Sequence, residues 1–146
     1  MSDLQQSVDR ILEQYKAAVL SRDVGAFMRL YDPKARIFDA WGSWEYSDST
    51  KWQIAIEGWF SSQTTEKFKV TFEDVQTQGS RDFAVVTATV SYASISPQGE
   101  QTRSMQNRIS WALRTSGHTL RIIHEHTSFP VGFEDLKALL HKESKA

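Results

Sequence analysis

The chain has 146 residues, 17 basic and 18 acidic for a formal net charge of −1, with no cysteine and a heavy aromatic load of five Trp, four Tyr and eight Phe. Residues 1–146 fit one domain, which buries roughly 70% of its unfolded surface and so needs neither disulfide nor metal to fold. Lack of cysteine excludes disulfide frameworks, thiolate zinc sites and cysteine nucleophiles, the absence of a Lys/Arg cluster argues against a nucleic-acid surface, and no apolar run has the length of a membrane span.

The opening "MSDLQQSVDR" carries Asp3 and no apolar core, so it does not read as a signal peptide, and a cytoplasmic protein is expected. Leu4, Val8, Ile11, Leu12, Tyr15, Ala18 and Val19 recur at three- and four-residue spacings, the stripe of an amphipathic helix. Ser2 and Gln5 can form its capping box. Asp23 predicts the N-cap of a short second helix, "VGAFMRLY", which Asp32-Pro33 ends. "ARIFDA" reads as a strand and "WGSWEYSDST" as a loop. A third helix, "KWQIAIEGWFSS", follows, with Trp52, Ala55, Ile56, Trp59 and Phe60 on its apolar side.

From residue 67 the period becomes that of strands: "KFKVTFEDVQTQ", "RDFAVVTATVSYASI", "QTRSMQNRISWALRT" and "HTLRIIHEHTSF", separated by "GS", "SPQGE" and "SG" turns. A closing segment, "GFEDLKALLHKE", puts Phe133, Leu136 and Leu139 or Leu140 on one helical face. Helices followed by a strand meander predict an α+β layer fold. A two-residue turn at Ser116-Gly117 would pair Leu113 with Leu120, Trp111 with Ile122, Ile109 with His124 and Asn107 with His126, leaving Arg108 opposite Glu125 on the other face. A turn centred on Gln98-Gly99 adds Val86, Ala88, Val90 and Tyr92 to the apolar face. Asn107, His124, His126 and Ser128 are then polar intrusions near one end of that face, where buried groups need partners or a ligand. A pocket is expected there.

Three readings of the His-x-His pair stay open. Alternate strand residues share a face and can chelate one ion, but no third ligand is apparent beyond Asp39, so no metal and no cofactor is assigned. An imidazole beside a carboxylate can transfer protons near neutral pH. Both can also be structural, bonded to Asn107 or Ser128. No G-x-S-x-G elbow and no glycine-rich phosphate loop is present. Tyr15 is either a core aromatic or a donor to a ligand carbonyl. The tryptophans default to the core, although Trp41 and Trp44 in a loop suggest a pocket rim.

The order of elements, with "EQYKAAVLSRDVGAFMRLYDPKARIFDAW" at the front and "LRIIHEHTSFP" at the end, resembles the nuclear transport factor 2-like superfamily and, more narrowly, the SnoaL-like domains related to ketosteroid isomerase. The second stretch is similar to a W-K-I-x-H-x-H-x-S-x-P ending, with Leu120 in place of Trp. The resemblance implies a cone-shaped, curved, mostly antiparallel sheet wrapped around three N-terminal helices, a short C-terminal helix, and a pocket in the open end. It also implies that Tyr15, in "QYKAA", and Asp39, in "FDAWG", occupy the positions of the oxyanion donor and the base of the isomerases. The later-strand acid of those enzymes has no counterpart in "SMQNRISWALR", which argues against a steroid isomerase. The expectation is a pocket for a small hydrophobic organic molecule, with Asp39 as base, His124 or His126 as acid, Tyr15 or Asn107 orienting the ligand, and Trp41, Tyr92, Trp111 and Ser128 lining it. The alternative is a non-catalytic interaction module similar to kinase association domains. A homodimer through the outer sheet face (Arg108, Ser110, Ala112, Ile123, Glu125) is expected in either case.

Overall fold

The computed structural model describes residues 3–62 and 64–142. The first helix, α1, spans Asp3–Ser21, and its buried positions (Val8, Ile11, Leu12, Tyr15, Ala18, Val19) all belong to the predicted stripe. Ser2, half of the expected capping box, lies outside the described residues. Asp23 caps α2, Val24–Met28, by accepting the Ala26 N–H at 3.0 Å. This helix is shorter than expected, and Asp32-Pro33 falls instead in the irregular start of strand β1, Tyr31–Phe38. Proline is tolerated there because β1 is an edge strand. Asp48 caps α3, Ser49–Phe60, which turns Trp52, Ile56 and Phe60 into the core.

Four long strands follow: β2 Lys67–Gly79, β3 Phe83–Ile95, β4 Gln101–Ser116 and β5 Thr119–Ser128. The sheet order is β1-β5-β4-β3-β2, with β1 parallel to β5 and every other pair antiparallel. The inner sheet face and the helix stripes close on one apolar cluster that includes Val19, Phe27, Val90, Trp111 and Leu113. Register shifts interrupt β2 after Glu73, β1 after Tyr31 and the β4–β5 ladder after Leu113. Such bulges bend and twist strands, which is how an open sheet curls around helices.

The β3–β4 register agrees with a turn centred on Gln98-Gly99: Val86 faces Trp111, Ala88 faces Ile109, Val90 faces Asn107 and Tyr92 faces Met105. The β4–β5 register does not follow the expectation. The turn is Gly117-His118, Gly117 has φ +65°, and Leu113 faces Ile122. One residue further the ladder slips, so that Ala112 faces His124, Trp111 faces Glu125 and Ile109 faces Thr127. Ile123 is the extra residue of this bulge.

The C-terminal helix is also corrected. Residues 131–142 form turns and a single bridge, Val131 to Ala138. Phe133 and Leu136, expected on its buried side, are 96% and 77% exposed. The segment serves β4 instead. Beyond Arg108, β4 runs on without β5 beside it, and there the Gln106 N–H donates to the Leu140 carbonyl at 2.7 Å. His141 Nε2 donates to the Ser104 carbonyl at 2.8 Å, and the Lys142 N–H to Gln106 Oε1 at 2.7 Å. Pairing an open strand edge wins over a weakly amphipathic helix whose apolar face has nothing to cover. Among the described residues no helix is long and apolar enough to cross a membrane.

Candidate functional site

A cavity of about 540 Å³ opens between α3 and the inner face of β3 and β4. Its walls are aromatic: Trp52 and Trp59 from α3, Phe68 from β2, Tyr92 from β3, Tyr15 from α1, and Trp41 and Tyr46 from the loop after β1. Helical spacing puts Trp52, Ala55, Ile56 and Trp59 on the one α3 face that looks into it. Gly42 completes the loop wall with φ +82°, and a Cβ there would meet the Tyr46 hydroxyl at 2.6 Å. Strand alternation delivers Arg103, Met105 and Asn107 from β4, and buried Ser94 of β3 joins them.

The deepest polar group is Glu125, 2% exposed and not assigned by the sequence reading. Tyr31 Oη donates to its Oε1 at 2.5 Å, and Trp111 Nε1 donates to the same oxygen at 2.8 Å. Burial pushes this carboxyl up to about 7; the two donors oppose the rise, and the nearby Asp39 charge adds to it. Burial likewise raises Tyr31 well above its ordinary value, with the Glu125 charge as the next cause.

Tyr15 and Tyr92 join hydroxyl to hydroxyl at 2.7 Å, so one hydroxyl hydrogen of the pair is left to donate elsewhere. Both phenols are held above their usual range, by burial first. Asp39 sits just past β1. Thr127 Oγ1 donates to its Oδ1 at 3.0 Å and the Trp41 N–H to its Oδ2 at 3.3 Å, while Thr127 itself accepts the Ala40 N–H at 2.8 Å. Burial raises the Asp39 carboxyl, and these hydrogen bonds pull it partly back. Asn107 is 5% exposed, and its Oδ1 is buried with no hydrogen-bond partner among the described residues.

Tyr15, Asp39, Trp41, Tyr92 and Asn107 thus border one cavity. Trp111 does not border it; the indole lies behind Glu125 and packs on Tyr15 and Phe72 at centroid separations of 5.8 Å. His124, His126 and Ser128 are on the opposite sheet face, and this corrects their expected position. His124 donates through Nδ1 to the Arg36 carbonyl at 2.6 Å. Phe38 receives both imidazoles edge-on at 5.0 and 5.4 Å, and Ser128 Oγ accepts from Arg108 Nε at 3.1 Å. The cause is the Ile123 bulge, since one added residue exchanges the two faces of everything after it. Glu125, expected on the outer face, is brought inside by the same event, so the proton-donor role given to His124 or His126 has no access to the cavity. Among the described residues no cluster of three or more His, Asp or Glu could hold a metal ion.

The SnoaL-like domain model matches residues 8–132. Among solved structures, a nuclear transport factor 2-like protein of unknown function from Pseudomonas putida superposes with a TM-score of 0.83 at 20% identity, covering 100% of this chain and 99% of that one. A nuclear transport factor 2-like superfamily protein from Salmonella enterica serovar Typhimurium gives 0.72 at 14% identity over 92% and 96% of the two chains. A Nostoc punctiforme protein of unknown function with a cystatin-like fold gives 0.71 at 8% identity over 87% and 92%. These likenesses establish the fold. No curated protein matches the sequence.

Proposed function

Because the chain belongs to the SnoaL-like domain family, we propose that its cavity binds a small, largely apolar organic molecule and that Asp39 acts there as an acid–base group. One observation carries this reading: an aromatic-walled space of about 540 Å³ bordered by the buried Glu125 carboxyl, the half-buried Asp39 carboxyl and the Tyr15–Tyr92 hydroxyl pair. Concave, mainly apolar sites with a few convergent polar groups are the usual form of small-molecule pockets. Asp39 is held by Thr127 and the Trp41 N–H, and its upward shift makes it a stronger base. It takes a proton from the ligand, while the free hydroxyl hydrogen of the tyrosine pair donates to the oxygen on which charge develops. That division of labour suits an isomerase, a dehydratase or a hydrolase. No cofactor enters it.

The test is fragment binding read by the indole N–H resonances. Aromatic fragments are expected to shift the signals of Trp52 and Trp59 and to leave Trp44, 96% exposed and outside the cavity, unmoved. A broad fragment set that moves none of the cavity signals ends the binding reading. Once a substrate is in hand, Asp39→Asn should lower turnover by about a hundredfold or more with the fold retained.

A second reading, a homodimer or interaction module, draws on the outer sheet face. Among the described residues no helix covers it, and it carries Ser110, Ala112, half-buried Phe38 and His124, and Val85 at 45% exposure. An antiparallel face of small and apolar residues suits an isologous contact. Light scattering at micromolar concentration is expected to give twice the chain mass, and Ala112→Arg to halve it; a wild-type monomer removes this reading and leaves the pocket intact. A cytoplasmic location belongs to the same proposal.

A further inference from the structure

We propose that the molecule this cavity takes is a small organic cation, a primary amine on an aromatic-sized apolar body; the inference rests on the cavity being a binding site. Glu125 sets the polarity. Its Oε1 already accepts from Tyr31 and Trp111, which fills that oxygen's acceptor sites. Its Oε2 has no hydrogen-bond partner among the described residues, and the side chain borders the cavity. Asp39 brings a second carboxylate to the same space, and Asn107 Oδ1 is a buried acceptor without a donor. Against these stand two neutral donors, the free hydroxyl hydrogen of the Tyr15–Tyr92 pair and the buried Trp52 Nε1–H, which has no partner among the described residues. The donors are neutral, whereas the acceptors include two carboxylates, and a carboxylate held away from water without a counter-charge is costly.

Charge points the same way. The groups that face Glu125 from neighbouring elements are Tyr31, Trp111, Asp39, Tyr15 and Tyr92, none of them basic. Arg103 is the one cationic side chain among the described residues that borders the cavity. It is exposed, and its Nε donates to Ser94 Oγ at 3.4 Å. Solvent screens it there, and it does not neutralise the floor. Burial without a counter-ion is why Glu125 titrates near 7. An ammonium group supplies N–H donors for these acceptors and the missing charge together. The faces of Trp41, Trp52 and Trp59 supply cation–π attraction once water is displaced. A ligand without a cationic group would leave the two carboxylates without a counter-charge.

Calorimetric titration with tryptamine and with tryptophol, which has the same skeleton with a hydroxyl in place of the amine, tests this. At about pH 8 tryptamine should bind on the order of tenfold tighter than tryptophol or better. That advantage should shrink as the pH falls below about 7 and Glu125 takes up its proton, whereas tryptophol affinity should stay flat. Glu125→Gln, which keeps an oxygen for Tyr31 and Trp111, should erase the preference and its pH dependence, and Asp39→Asn should reduce the preference without erasing it. The pH profile of the wild type stands by itself if a variant folds poorly. Tryptophol binding as tightly as tryptamine overturns the cationic ligand and leaves the pocket reading standing. Failure of both compounds to bind overturns the two together. A preference for tryptamine that persists unchanged in Glu125→Gln also overturns it, because the charge would then be read elsewhere.

Discussion

Residues 124–127 of β5 read His, Glu, His, Thr, and the sheet sorts them onto two faces that obey different rules. On the outer face the imidazoles of His124 and His126 rest edge-on against Phe38, with solvent beside them. On the inner face Glu125 and Thr127 are each tied to other elements: Glu125 to β1 and β4, Thr127 to Asp39 and the Ala40 backbone. The outer pair has stronger acid–base credentials by residue type, yet the inner pair carries the electrostatic consequences. What a polar side chain can do depends on whether water is available to answer it.

Substitutions should expose that difference in descending order. Trp111→Ala removes a 2%-exposed indole and a donor to Glu125, and chemical denaturation should show a loss of about 3–5 kcal/mol. A loss below about 1 kcal/mol would mean that the inner network is not cooperative. Next comes pH. The Glu125 carboxyl moves from 4.5 to about 7 on folding, so the folded state holds its proton more tightly than the unfolded chain does. Stability is then fully present below about 4.5 and is lost as the pH climbs through about 7, by roughly 3 kcal/mol at most. Asp39 shifts in the same direction and adds to the slope. Glu125→Gln should flatten most of this loss and raise the melting temperature at pH 8 relative to wild type; an unchanged slope would place the titrating group elsewhere. Thr127→Val strands the Ala40 N–H and takes a donor from Asp39, a cost of about 1–2 kcal/mol by the same assay. His126→Ala, on the wet face, should fall within about 0.5 kcal/mol of wild type, and a larger loss would give the outer face a role in assembly.

Periodicity read those parts of the chain where side-chain alternation and backbone pairing coincide. The α1 stripe and the α3 face turn toward the core as expected, with Leu4, Ala55 and Trp59 only partly buried, and the β3–β4 register follows from one turn. Tyr92 and Asn107 were within reach because the phase of their strands was legible, and Tyr15 and Asp39 because "QYKAA" and "FDAWG" resemble a known family's site. The β5 phase was not. A bulge is a backbone event with no composition of its own, and its one trace in the sequence is the doublet Ile122-Ile123, where alternation offers two apolar residues and no way to choose. Moving the turn by one residue shifts every pairing partner by two and preserves parity, but one bulged residue inverts it, which is how Glu125 was lost from the cavity and the histidines gained. Tyr31 was hidden differently, at the seam where a helix was expected to continue and a strand begins. At the C-terminal end, three leucines and a phenylalanine at helical spacing describe an amphipathic segment, but the pattern does not say whether a surface exists to receive it.

The hydrogen bonds between residues 140–142 and Ser104–Gln106 bear on more than the last turn of the chain. A bare stretch of β4 there would be a template on which another molecule could lay a strand, and polymeric growth starts from such edges. The tail spends its own amides and carbonyls to make the sheet finite. Ser104 and Met105 also line the cavity, so the contacts that keep one molecule from zipping onto the next also hold part of the cavity wall in place.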